Sequence, residues 1–107
     1  MSIILERIRR LTQKGDIRVS EHGYDEMAAD GISAREAIAG IASAILITEY
    51  PDYAKGPSVL VLEKDRANKP IHVVLGIPKG DTTPAVRVTT YRPDPELWEE
   101  EFMRRKQ

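Results

Sequence analysis

Residues 58–92 read "SVLVLEKDRANKPIHVVLGIPKGDTTPAVRVTTYR", and the spacing of this stretch decides the fold. Three runs rich in β-branched residues, Ser58–Lys64, Ile71–Ile77 and Ala85–Arg92, are separated by "DRANKP" and "PKGDTTP". Pro, Gly, Asn and Asp at those breaks are turn residues. Strands joined by such short turns pair antiparallel, because a parallel return needs a long crossover. A fourth run, "AILITEY" (Ala44–Tyr50), precedes the first across "PDYAKGP". The expectation is a four-stranded antiparallel meander.

Upstream the period changes to that of helices. Ile4, Ile8 and Leu11 recur at i, i+4, i+7 on one face of a helix that Gly15 ends. Ile17 and Val19 then allow a short extended link. Ser20 is an N-cap for a helix running to about Asp30, with Tyr24, Met27 and Ala28 on one side and Gly31 as the stop. "SARE" (Ser33–Glu36) is a capping box that Ile32 can staple, and Ile38, Ile41, Ala42 and Ile45 continue the apolar face. Downstream, "PDPELWEEEFMRRK" (residues 93–106) has Asp94 as cap, Pro95 at the first helical position and acids ahead of bases. Trp98 and Phe102, at i, i+4, would pack this C-terminal helix on the sheet. The predicted architecture is α+β: N-terminal helices, the four-stranded meander, then a C-terminal helix. Residues 1–107 form a single domain with helices covering one face.

A chain of 107 residues suits one domain and buries enough surface to need no staples. It has no cysteine, which excludes disulfides and thiolate metal sites. "MSIILERIRR" (residues 1–10) has an apolar run of only three residues before charge begins, too short for a signal peptide or a membrane span. A soluble cytoplasmic protein with no membrane partner is therefore expected. The net charge of −1 conceals a pattern. Residues 20–53 carry one basic and seven acidic side chains, and residues 54–93 carry seven basic and three acidic. The basic block suits a polyanion, the acidic block a basic partner or plain solvent.

No phosphate loop, dinucleotide fingerprint or zinc spacing is present, so no cofactor and no metal are expected. The polar candidates are His22, His72, Thr89, Thr90, Tyr91 and Arg92. His22 opens the second helix, where the dipole disfavours imidazolium while Glu21, Asp25 and Glu26 favour it. Either catalysis or packing would suit it. His72 shares a strand face with Val74 and Gly76, as a proton-transfer group or as a satisfied buried histidine. In "TTYRP" (Thr89–Pro93), strict alternation puts Thr90 with Val86 and Val88, and Arg87 with Thr89 and Tyr91. A Tyr and an Arg at a strand end can hold a phosphate or orient an RNA base, or can pair with a carboxylate.

The segments "SEHGYDEMAADGIS" (residues 20–33), "EYPD" (49–52), "KPIHVV" (69–74) and "VTTYRPDPELWEEEFMRRK" (88–106) together resemble the domain-of-unknown-function family numbered 4258. That family is similar to small bacterial toxins of the RelE and BrnT kind. The resemblance implies a RelE-like, barnase-like fold and a metal-independent endoribonuclease of a toxin–antitoxin system, with RNA as substrate and an antitoxin protein as partner. It gives His22 or His72 the part of base or acid, and Arg92 that of the cation on the phosphorane. Thr90 and Tyr91 would position substrate. Where the family carries basic residues, this chain has Glu26 and Asp30, and acids beside an RNA site repel phosphate. The alternative is a non-catalytic protein-binding module that keeps the toxin-like fold and uses the acidic segment 20–53.

Overall fold

The computed structural model describes residues 2–65, 67–81, 83–99 and 101–106, with His22 and Val88 described at the backbone only. The elements are α1 (Ile3–Gln13), β1 (Ile17–Val19), α2 (Glu21–Ala29), α3 (Ala34–Ala39), a 3₁₀ turn (Gly40–Ser43), β2 (Ile45–Tyr50), β3 (Ser58–Lys64), β4 (Pro70–Gly76) and β5 (Ala85–Tyr91). The class is α+β. Serines start all three helices: the hydroxyls of Ser20 and Ser33 accept from the amides of Gly23 and Glu36 as expected, and Ser2, a cap not expected from the sequence, accepts from Leu5.

The sheet has five strands in the order β1-β5-β4-β3-β2 and is mixed, which corrects the four-stranded meander. The expected strands do pair antiparallel in sequence order. The fifth is the Ile17–Val19 link, which lies parallel to β5 with Ile17 opposite Ala85 and Val19 opposite Arg87. Backbone bonds from Ala85 N–H to the Asp16 carbonyl (2.9 Å) and from Ser20 N–H to the Arg87 carbonyl (3.1 Å) extend that pairing. Without β1, β5 would be a bare edge.

The C-terminal helix does not form, a second correction. Asp94 caps a turn instead: its carboxylate accepts from Glu96 N–H at 2.8 Å, and its carbonyl from Leu97 and Trp98 N–H. The chain then doubles back, with Trp98 bridged antiparallel to Arg105 and Lys106 N–H bonded to the Leu97 carbonyl. A single helix of this length is marginal in water, and the hairpin seats Trp98, 8 % exposed, on the sheet.

The core lies between the helices and one sheet face. Ile4, Leu5 and Ile8 of α1, Met27 of α2, and Ala37 and Ile41 meet Val59, Val61, Ile71, Val73 and Leu75. Tyr24 and Ala28 are exposed, so only Met27 of the expected α2 stripe is inside. The third helix ends at Ala39, and after it Ile41 and Ala44 are buried while Ala42 and Ile45 are exposed.

Two charges sit inside this layer. Glu63 and Arg87, with side chains 1 % and 0 % exposed, pair at 2.9 Å. Arg87 also donates to the Ala37 carbonyl and to the Thr90 hydroxyl, at 3.2 Å for the latter. A Cβ on Gly40 would lie 2.6 Å from Glu63 Oε1, so glycine there makes room for the carboxylate. Burial raises the Glu63 pKa to about 7 against the opposing pull of Arg87, and burial lowers that of Arg87. An unfolded glutamate releases its proton near 4.5, so between pH 4.5 and about 7 the folded state alone holds it. Stability is therefore highest below that window with respect to this group and is lost as pH rises through it, by about 3 kcal/mol at most. Urea titrations at a series of pH values should show this loss. Arg87→Met at neutral pH should cost about 1–3 kcal/mol by leaving Glu63, the Ala37 carbonyl and the Thr90 hydroxyl without their donor, and should keep Glu63 protonated to higher pH.

Candidate functional site

The polar residues singled out in the sequence fall into separate places. A bulge explains part of this. Val74 pairs with Thr89 but Leu75 pairs with Arg87, leaving residue 88 as an extra residue in β5. The alternation shifts, so Arg87 and Thr90 share the helix-side face and bond to one another. Tyr91 lies on the opposite face, across from His72. This corrects the expectation that Arg87 shares a face with Tyr91. Thr90 is fully buried.

His72 is fully buried under the C-terminal hairpin. Its Nε2 lies 2.7 Å from the Phe102 carbonyl, which can only accept, so this nitrogen carries the hydrogen. Nδ1 lies 3.2 Å from the Tyr91 hydroxyl and, in the neutral ring, accepts from it. Trp98 meets the imidazole edge-on at 4.3 Å between centroids and Tyr91 does so at 5.4 Å. Burial lowers the His72 pKa, against a smaller upward pull from Phe102. The Tyr91 pKa is raised, first by burial, then by Tyr50, with Arg105 opposing and Glu26 adding. The pair is thus a neutral imidazole and a neutral phenol.

Arg92 is held from two sides. Its guanidinium pairs with Asp65 at 2.9 Å. Its backbone N–H donates to the Asp30 carboxylate and its Nε to the Asp30 carbonyl, both at 3.3 Å. Asp65 also accepts from Lys69 N–H (2.8 Å) and Ala67 N–H (2.9 Å). Its pKa is lowered, by Lys69 first and by Arg92 and Ala67 in turn. Arg92 joins the end of α2 to the β3–β4 turn.

The side chain of His22 lies outside the described residues; its backbone belongs to the first turn of α2. Arg92 bonds to Asp30, eight residues further on, about 12 Å along the helix axis. Among the candidates whose side chains are described, His72 and Tyr91 are brought into contact across the sheet.

Glu26 and Asp30 have roles that the sequence reading missed. β1 covers β5 only as far as Arg87. Beyond it, Glu26 accepts from the Thr90 N–H and Asp30 from the Arg92 N–H, each at 3.3 Å. The two carboxylates continue, as side chains, the edge pairing that β1 begins.

Over the hairpin side of the sheet runs a groove of about 520 Å³ lined by Thr48, Tyr50, Leu60, Trp98, Arg104 and Arg105, among others. The Arg105 guanidinium stands 5.8 Å from the Trp98 ring centroid. Among the described residues no group of three or more His, Cys, Asp or Glu is placed to hold a metal ion. No helix among them is long and apolar enough to cross a membrane.

Tyr91→Phe should leave Nδ1 of His72 without its donor and cost about 1–3 kcal/mol in urea unfolding. Because the folded His72 resists protonation, its own contribution to stability should fall as pH drops below 6.5, the ordinary histidine value, opposing the gain from Glu63 over the same range. His72→Ala should remove that acid limb and move the emission of Trp98, the chain's single tryptophan, to longer wavelength.

No curated protein and no solved structure matches the chain. The family described as "Domain of unknown function (DUF4258)" matches residues 19–92, from the last residue of β1 to the arginine that follows β5. That span takes in α2, His72, the bulged β5 and Arg92, and the chain belongs to this family.

Proposed function

We propose that this chain is a protein-binding module that retains a RelE-like, toxin-related fold without cutting RNA. The observation that carries this reading is His72: it is fully buried and both ring nitrogens are engaged within the chain. A general base must reach its proton through open hydrogen-bonding geometry. Arg92 is engaged by Asp65 and Asp30, and Thr90 by Arg87. The exposed face of α2 suits a basic protein partner. Tyr24, 54 % exposed, stands beside the exposed Glu21 and Asp25 at helical spacing, an aromatic anchor among acids.

A second reading keeps the metal-independent endoribonuclease of a toxin–antitoxin system. It is favoured by Arg104, Arg105 and Tyr50 lining one groove, with the Tyr91 hydroxyl under the influence of Arg105 and Tyr50. Cations and aromatic faces suit single-stranded RNA. In that reading Tyr91 would be the acid and Arg105 the phosphate-stabilising cation.

Incubation of the purified chain with single-stranded RNA in the presence of chelator separates the two. The module reading expects the RNA to stay intact and growth to continue when the chain is expressed. Cleavage that disappears in Arg105→Ala or Tyr91→Phe, with the fold retained, would replace it by the second reading.

A further inference from the structure

The two edges of the sheet are treated differently. The β5 edge is covered by β1 and then by the carboxylates of Glu26 and Asp30. At the other edge, among the described residues, β2 pairs with β3 alone, so its outer side presents a row of backbone donors and acceptors. Exposed apolar groups gather there. Ile45, 53 % exposed, and Tyr50, 41 % exposed, stand at the two ends of the strand. Ile3 belongs to the same region, because the adjacent Ser2 hydroxyl donates to Glu49 of β2 at 2.7 Å, and Tyr53 follows in the next loop. These are four of the six exposed large apolar side chains among the described residues, a concentration that marks an interface.

We infer that the outer edge of β2 is a homodimer interface, where the strand pairs antiparallel with β2 of a second copy. The strand is complementary to itself. A two-fold axis through its middle puts Ile45 of one copy opposite Tyr50 of the other, twice, and Leu46 opposite Glu49. Ile45 and Tyr50 point to the same face, since their β3 partners Leu62 and Ser58 are four residues apart. Aliphatic–aromatic pairs across strands are favourable. The irregularity between Leu46 and Thr48 falls at the axis in both copies and leaves the two ends free to pair.

Charge argues for the same occupant. Glu49 is the one charged residue in Ile45–Tyr50, and its carboxylate already accepts from Ser2. What remains of the strand itself is uncharged, with Arg104 and Arg105 set beside Thr48 and Tyr50 on the hairpin face, and its backbone edge suits an uncharged strand, which a second copy supplies. The covered β5 edge makes the assembly finite: two copies join and no strand is left to add a third. The contact is small beside ordinary stable interfaces, so the dimer should dissociate on dilution. None of this depends on whether the chain cuts RNA.

Sedimentation of the full chain over a wide dilution series tests the inference. A monomer–dimer equilibrium is expected, weakened about tenfold or more by Ile45→Lys or Tyr50→Lys and unmoved by Tyr24→Lys or Leu97→Lys. Because the chain has no cysteine, the double variant Ile45→Cys/Tyr50→Cys supplies a check that adds no buried charge. It should oxidise to a disulfide-linked dimer, while Tyr24→Cys should not. A chain that is monomeric at every concentration would overturn the inference. So would a dimer indifferent to the β2 lysines, or one that the double-cysteine variant fails to cross-link.

Discussion

The ion pair between Glu63 and Arg87 is the constraint around which the rest is arranged. Arg87 leaves β5, passes Thr90, and reaches both β3 through Glu63 and the third helix through the Ala37 carbonyl. One side chain thus ties the helix layer to two strands that are not neighbours. Burying two charges is costly, and a well-packed apolar pair could be as stable. What the pair adds is direction: an unpaired Glu63 or Arg87 in the core is far worse than the pair, so the layers have one way to stack. Gly40 and the β5 bulge both serve it, the first by leaving space for the carboxylate, the second by turning Thr90 toward the guanidinium.

The bulge also decides what the other face receives. By shifting the alternation it sends Tyr91 to the hairpin side, where its hydroxyl meets His72. The C-terminal hairpin completes that contact by giving the Phe102 carbonyl to Nε2 and Trp98 to the ring. Sheet edge, core pair and buried histidine are therefore linked through one strand. The acids of α2 belong to the same scheme: Glu26 and Asp30 bind β5 where β1 stops. Their placement answers a local need of the backbone.

Much of the fold was legible in the sequence because it rests on local signals. The caps at Ser20 and Ser33, the glycine stops and the turns between strands each act within a few residues. The misses were non-local. Ile17–Val19 is too short to announce itself as a strand until β5 lies beside it. Residues 94–106 carry helix signals that the burial of Trp98 overrides. The β5 bulge has no mark in "AVRVTTY", so strict alternation misassigned Arg87 relative to Tyr91. The ion pair did leave a trace: a glutamate in phase with Val59 and Val61, and an arginine inside another apolar strand. Opposite charges in two buried strands are a signal worth reading as a pair. Of the site candidates, chemistry pointed to the right residue types, but only three-dimensional packing could separate Thr90 and Arg92 from His72 and Tyr91.

The central claim is that His72, one of the two histidines open to a catalytic reading, is a neutral, fully committed part of the packing between the sheet and the C-terminal hairpin. Nitrogen-15 NMR of the imidazole ring across a pH series tests it most directly. The account predicts a neutral ring with its hydrogen on Nε2 that stays neutral below pH 6.5, where a free histidine would be half protonated. An imidazolium at neutral pH, a ring with its hydrogen on Nδ1, or titration at the ordinary histidine value would contradict it.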